Sequence, residues 1–264
     1  MRTVTAAAEP VLRLEHIAVH FGGLVAVSDM SFDVREGEVV SLIGPNGAGK
    51  TTAFNVITGF VAPASGTVRY RGRTLNGLRP NDVAELGLVR TFQKTSVFAN
   101  NTVFDNILIG LHRRGRGRTW EVLLGLPKVR GEEERLRDQA WEILQFINLE
   151  GRASELGGAL PYGEQRLLEV AVALAADPSL LMLDEPVSGM NPVETANFMK
   201  TLARIRERGM TILLVEHDMR MVMGVSERVV VLNHGRIIAE GTPEQVQSDP
   251  EVIEAYLGRG VKRA

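Results

Sequence analysis

Gly44-Pro45-Asn46-Gly47-Ala48-Gly49-Lys50-Thr51 is a glycine-rich run closed by Lys and Thr, and it separates an apolar stretch, Val39 to Ile43, from a segment of helical composition, Thr51 to Thr58. Glycines at this spacing let backbone N–H groups turn inward onto a phosphate chain, and the helix behind them adds the partial positive charge of its N-terminus. Lys50 is expected at the β- and γ-phosphates of a nucleoside triphosphate, and the Thr51 hydroxyl at Mg²⁺, with Thr52 counted beside them.

Leu180-Leu181-Met182-Leu183 runs into Asp184-Glu185. An apolar strand that ends beside a phosphate loop puts Asp184 in the Mg²⁺ shell, and Glu185 then faces the γ-phosphate, where it can position or deprotonate an attacking water. Gln93 follows a strand candidate, Leu88 to Phe92, and its amide could touch both the metal and that water. His217 follows Ile212 to Val215 and could hydrogen-bond the γ-phosphate. Taken singly, Gln93 or His217 reads as a surface residue, and only the shared context gives each a post.

The elements that must hold these residues follow from hydrophobic pattern. Leu12, Leu14, Ile17 and Val19 lie on an extended run; Met30, Phe32 and Val34 alternate at period two; Gly66 to Tyr70 is a further strand and Pro80 to Leu86 a short helix. From Thr102 to Leu156 the composition turns to Arg, Glu and Leu, and Leu136, Ala140, Ile143, Leu144 and Ile147 share one helical face. Alternation then resumes, with helices over Glu164 to Ala176 and Pro192 to Arg208, strands over Leu180 to Leu183 and Met210 to Val215, a shorter helix, and a hairpin across Asn233-His234-Gly235. The prediction is one α/β domain over 11–257, with a core from 11–101 and 157–257, a helical insertion at 102–156 and a tail at 258–264.

Composition narrows the class. In 264 residues, 44% hydrophobic and 23% charged, there is enough apolar surface for a large core. A net charge of -2 argues against a chain whose main business is nucleic acid. With no Cys there is no disulfide framework and no thiolate site. No run approaches the ~20 apolar residues of a membrane span, and the first ten residues do not read as a secretory signal, so work at a membrane is expected from the water side.

The order of phosphate loop, Gln after a strand, helical insertion, glycine-bearing helix start, apolar-Asp-Glu and His resembles an ATP-binding cassette (ABC) ATPase, from about Val11 to Leu257. The resemblance implies a P-loop NTPase (RecA-like) core with an antiparallel β subdomain and the helical insertion, ATP with Mg²⁺, and a head-to-tail dimer in which each phosphate loop faces the signature segment of the other subunit. That signature, Leu-Ser-Gly-Gly-Gln in the family, maps onto Leu160-Pro161-Tyr162-Gly163-Glu164. Tyr162, Gly163 and Glu164 are thereby implied at the partner's nucleotide, although Pro161 removes a serine hydroxyl, Tyr162 replaces a glycine and Glu164 replaces the glutamine. Val187 to Pro192 resembles the dimer-contacting D-loop, with Asn191 where Asp is usual. Phe21 stands where the family stacks an aromatic on adenine; a strand-end core residue is the other reading.

Phe21-Gly22-Gly23-Leu24, Arg90-Thr91-Phe92-Gln93, Tyr162-Gly163 and Gly241-Thr242-Pro243-Glu244 are similar to the first of the two ATPases of branched-chain amino-acid importers. This implies a peripheral subunit on the cytoplasmic face of the inner membrane. Its partners would be a second ATPase (a relative or a copy), integral permease subunits and, indirectly, a periplasmic solute-binding protein, with no nucleic acid. Lipopolysaccharide export, urea or amide import and a soluble ABC ATPase are the alternatives. Thr95 to Ile109 would form the permease groove, in which Phe98, Val103 and Phe104 are either docking contacts or core. The run His112 to Arg118 is a solvated loop or a contact with anionic headgroups.

Overall fold

Strands covered on both faces need apolar residues at nearly every position, and four runs in this chain have them. The computed structural model describes residues 9–91, 97–112 and 127–257, and in it these runs are β3 (Val39–Ile43), β7 (Leu180–Asp184), β8 (Thr211–Val215) and β9 (Arg228–Asn233). Successive residues face opposite layers. Val40, Leu42, Leu180, Met182, Leu213 and Val215 join one core cluster, while Val39, Leu181, Leu183, Ile212 and Leu214 join another.

With β6 (Leu88–Arg90) at the edge, β9-β3-β8-β7-β6 pair in parallel. An antiparallel part is formed by β1 (Leu12–Phe21), β2 (Leu24–Val34), β4 (Ser65–Tyr70) and β5 (Arg73–Thr74), and β10 (Arg236–Gly241) is the antiparallel neighbour of β9. A single register pair, Arg236 with Asp29, joins the two parts. Between them lies the first core cluster, with α1 (Lys50–Ile57) contributing Ala53, Phe54, Val56 and Ile57.

On the other face of the parallel sheet pack α3 (Val103–His112), α4 (Pro127–Phe146), α5 (Tyr162–Ala175) and α6 (Pro192–Glu207), after a short α2 (Pro80–Glu85). Ala140, Leu144 and Ile147 are buried and Leu136 and Ile143 partly so, the face that helical periodicity marks. The chain enters and leaves this helical segment at one point, where Thr102 bridges Leu156 and the Val103 N–H donates to the Glu155 carbonyl at 2.8 Å. Asn191 caps α6, accepting from the Val193 and Glu194 N–H groups, and Pro192 takes the first turn. Helices α7 (Met219–Val225), α8 (Pro243–Ser248) and α9 (Pro250–Leu257) cover the last cluster, around Val229, Val231 and Val246. The short β5 and the last two helices carry too little periodicity to be read from sequence.

Register decides where chemistry can occur. Leu42 on β3 and Asp184 on β7 both pair with Val215 on β8, so the carboxyl ends of three adjacent strands lie level. Gly44, Glu185 and His217 follow within two residues of that line. The carboxyl edge of a parallel sheet is where ligands bind in open α/β folds.

Candidate functional site

The loop after β3 is shaped by its glycines. Gly49 precedes α1 with φ 108°, and a Cβ there would stand 2.8 Å from the Ala26 carbonyl oxygen, so the position excludes any side chain. Pro45 accepts from the Ala48 N–H at 3.1 Å, and the Ala48 carbonyl from the Gly235 N–H at 2.9 Å, which pins the loop to the β9–β10 hairpin. Asn46 and Gly47 are exposed at the apex, as is Thr51 in the first helical turn, while Thr52 is half-buried. The Lys50 ammonium is folded over the loop, donating to the Gly44 carbonyl at 2.7 Å and the Pro45 carbonyl at 3.1 Å. Burial pushes its pKa below the usual lysine range, and the nearby carboxylates of Glu185 and Asp184 pull the other way. From α9, the Tyr256 hydroxyl is raised by burial and opposed by a hydrogen bond from the Gly44 backbone.

Asp184 ends β7 almost fully enclosed, and its Oδ2 receives Arg90 Nη2 at 2.6 Å. Arg90 also donates to Asn55 Oδ1 at 2.8 Å and lies over the Phe54 ring at 5.4 Å, so one guanidinium ties β6, α1 and the β7 carboxylate together. Glu185 takes a left-handed backbone, φ 47°, a sharp departure from the strand that β-carbon-bearing residues adopt at a cost of about 1–3 kcal/mol. Its N–H still reaches the Val215 carbonyl at 2.9 Å. His217 is more than half exposed, with Nδ1 4.0 Å from Glu185 Oε1.

Between these lies Glu216, fully buried, which carries no recognisable signal in the sequence beyond its place before His217. Its carboxylate accepts from the Val187 N–H at 3.1 Å, the His217 N–H at 2.7 Å and the Asp218 N–H at 3.1 Å. It thus clamps the turn after Glu185 to the turn that carries His217. Arg90 carries no such signal either: an Arg inside a strand reads as surface until the tertiary fold puts a carboxylate in front of it.

The structure brings Gly44 to Thr52, Asp184, Glu185 and His217 to one edge. Gln93 and Thr95 lie outside the described residues, as do Arg113 to Arg118 and the 258–264 tail. Phe21 is 51% exposed at the tip of the β1–β2 hairpin, so it is no core residue. Of the proposed groove residues, Val103 is fully buried, Phe104 packs on Trp141 with ring centroids 5.3 Å apart, and Phe98 is exposed. Tyr162, Gly163 and Glu164 open α5, where Glu164 contacts Arg152 Nε at 2.6 Å. A groove of about 770 Å³ on the antiparallel sheet, between Arg13, His16, Asp33 and Arg228, shares no residue with the phosphate loop. Among the described residues no His, Cys, Asp or Glu cluster could hold a metal by itself, and no helix is long and apolar enough to cross a membrane.

Comparison with known proteins places this geometry. Residues 27–188 match the family model of ABC transporters, and residues 236–262 that of the branched-chain amino acid ATP-binding cassette transporter. The high-affinity branched-chain amino acid transport ATP-binding protein LivG of Salmonella typhimurium is 44% identical over 251 residues, covering 95% of this chain and 98% of its own. The corresponding protein BraF of Pseudomonas aeruginosa is 43% identical over 250 residues, covering 94% and 98%. Among solved structures, the ADP conformation of MJ1267, an ATP-binding cassette of an ABC transporter, matches with TM-score 0.82 and 32% identity, over 96% of this chain and 100% of that one.

Proposed function

The chain belongs to the ABC transporter family, among its ATP-hydrolysing subunits of the branched-chain amino acid type, and we propose that it drives uptake of Leu, Ile, Val or closely related solutes. In this reading it works as the 11–257 domain, the 102–156 insertion facing permease subunits at the cytoplasmic surface of the inner membrane. It pairs head to tail with a second ATPase, and a periplasmic binding protein supplies the solute to the permease.

One observation carries the chemistry: the Lys50 ammonium is held over the loop that follows β3, level with the end of β7 that carries Asp184 and leads into Glu185. The loop amides and Lys50 bind the triphosphate, and the α1 N-terminus favours its charge. The hard oxygen donors of Thr51 and Asp184 suit Mg²⁺, with Gln93 as a further ligand, and the bound ion would neutralise charge on the phosphates. Glu185 orients the attacking water and takes its proton, while His217, next to it, donates toward the γ-phosphate. Phe21, exposed at the hairpin tip, offers a stacking face for adenine.

The test is Glu185→Gln in the purified chain. It removes the proton acceptor while leaving the phosphate loop intact. ATP should still bind, turnover should vanish, and a dimer should accumulate in gel filtration with ATP. Normal hydrolysis by the variant would remove Glu185 from this role, and a persistent monomer would remove self-pairing.

A further inference from the structure

The departure of Tyr162 from the family's usual glycine has a visible consequence. A glycine at the tip of α5 could reach nothing. Tyr162 crosses to the turn that follows Glu185 and donates its hydroxyl hydrogen to the Ser188 carbonyl at 3.0 Å. The same oxygen accepts from Arg166 Nε at 3.1 Å, and the ring lies beneath that guanidinium, 5.3 Å from its centroid. Arg166 is itself fixed by Glu169 at 2.9 Å, both side chains enclosed. The tyrosine is therefore oriented from behind by a buried pair, and its hydroxyl is supplied with both a donor and an acceptor.

The turn is shaped to receive it. Gly189 has φ 82°, and a Cβ there would come within 3.3 Å of the Tyr162 ring. The other end of the turn is tied to the same helix tip, since Glu194 accepts from the Gly163 N–H at 3.2 Å with one oxygen and from the Asn191 N–H at 2.9 Å with the other. Toward the catalytic edge, the Ser188 N–H donates to the Glu185 carbonyl at 3.1 Å. A continuous chain of contacts runs Arg166, Tyr162, Ser188, Glu185.

We infer that Tyr162 is a positioning residue: it fixes the 188–191 turn to the tip of α5, so that the segment proposed to meet the partner's nucleotide and the turn leaving Glu185 hold one mutual geometry within a chain. The inference rests on the proposed dimer. It assigns the altered signature a task that the usual glycine cannot perform, and it locates the effect in pairing and turnover rather than in binding of ATP to the subunit's own loop, which Tyr162 does not contact among the described hydrogen bonds.

Tyr162→Phe deletes the hydroxyl and keeps the ring under Arg166. Of the two bonds the hydroxyl makes, the neutral one to the Ser188 carbonyl is the one that reaches the turn, and its loss corresponds to a change of about 2- to 12-fold. In the Glu185→Gln background, the ATP concentration giving half-maximal dimer should rise by that factor when Tyr162→Phe is added. ATP affinity of the monomer by calorimetry should stay at its parent value, the melting temperature should fall only by the few degrees that lost intrachain hydrogen bonds cost, and kcat of the single variant should fall without a matching change in KM. Tyr162→Ala, which also removes the ring, should give the larger loss. Dimer formation and kcat unaltered by Tyr162→Phe would overturn the assignment, as would a loss of monomer ATP affinity, or partial unfolding at the assay temperature, that accounts for the whole effect. If Glu185→Gln alone fails to dimerise, self-pairing fails, not the tyrosine's part in it; kcat of Tyr162→Phe then decides the latter.

Discussion

Replacing Arg90 with Met is the sharpest probe of how the carboxyl edge of the parallel sheet is held together. The substitution keeps an unbranched apolar side chain but removes a guanidinium 7% exposed from a carboxylate 3% exposed, along with its place over the Phe54 ring and hydrogen bonds of 2.6 Å to Asp184 and 2.8 Å to Asn55. Breaking a buried ion pair from one side strands the other charge, and this costs about 3–5 kcal/mol, whereas removing both partners is often close to neutral. Arg90→Met and Asp184→Asn should therefore each lose stability on that scale, and the double variant should lose far less than their sum. Arg90→Lys should fall between, because one ammonium cannot reproduce the fork that reaches Asp184 and Asn55 at once. Urea unfolding in EDTA without nucleotide, with midpoint and slope fitted together, measures all four forms. Additivity of the two single losses within about 0.5 kcal/mol would refute the coupling, and an unchanged midpoint for Arg90→Met would refute the pair altogether.

Three other outcomes are expected. Glu216→Gln offers an amide in place of one oxygen to N–H groups of Val187, His217 and Asp218, so kcat should fall several-fold with ATP affinity retained, and the effect should largely disappear in a His217→Ala background, as a double-mutant cycle would report. Lys50→Ala should remove most ATP binding, and calorimetry showing undiminished affinity would argue against the loop as the phosphate cradle. Glu38 is raised by burial but lowered more by its hydrogen bonds to Arg228 and the Arg35 N–H, for a net pKa below its usual 4.5. The stability it adds is present above pH 4.5 and lost as pH falls through the lower folded-state value, so the deficit of Glu38→Gln relative to the parent should shrink over that acid range in pH-dependent melting.

Sequence alone settled what depends on local pattern. The Gly44 to Thr51 run requires backbone freedom and a cationic side chain at fixed spacing, and its flanks, a fully apolar strand and a helix, are legible from neighbours within a few residues. The same holds for the strand that ends at Asp184 and for Pro192 opening a helix behind Asn191, since caps and alternation are properties of short segments. Tertiary structure decided what depends on residues far apart in the chain. Arg90 meets Asp184 across 94 positions, Glu216 reaches Val187 across 29, and Tyr162 reaches Ser188 across 26. A strand arginine, a buried glutamate and an aromatic in a helix start have no pattern that announces such a partner. Their meaning arises when parallel pairing sets three strand ends level and desolvation makes each polar group's contact obligatory.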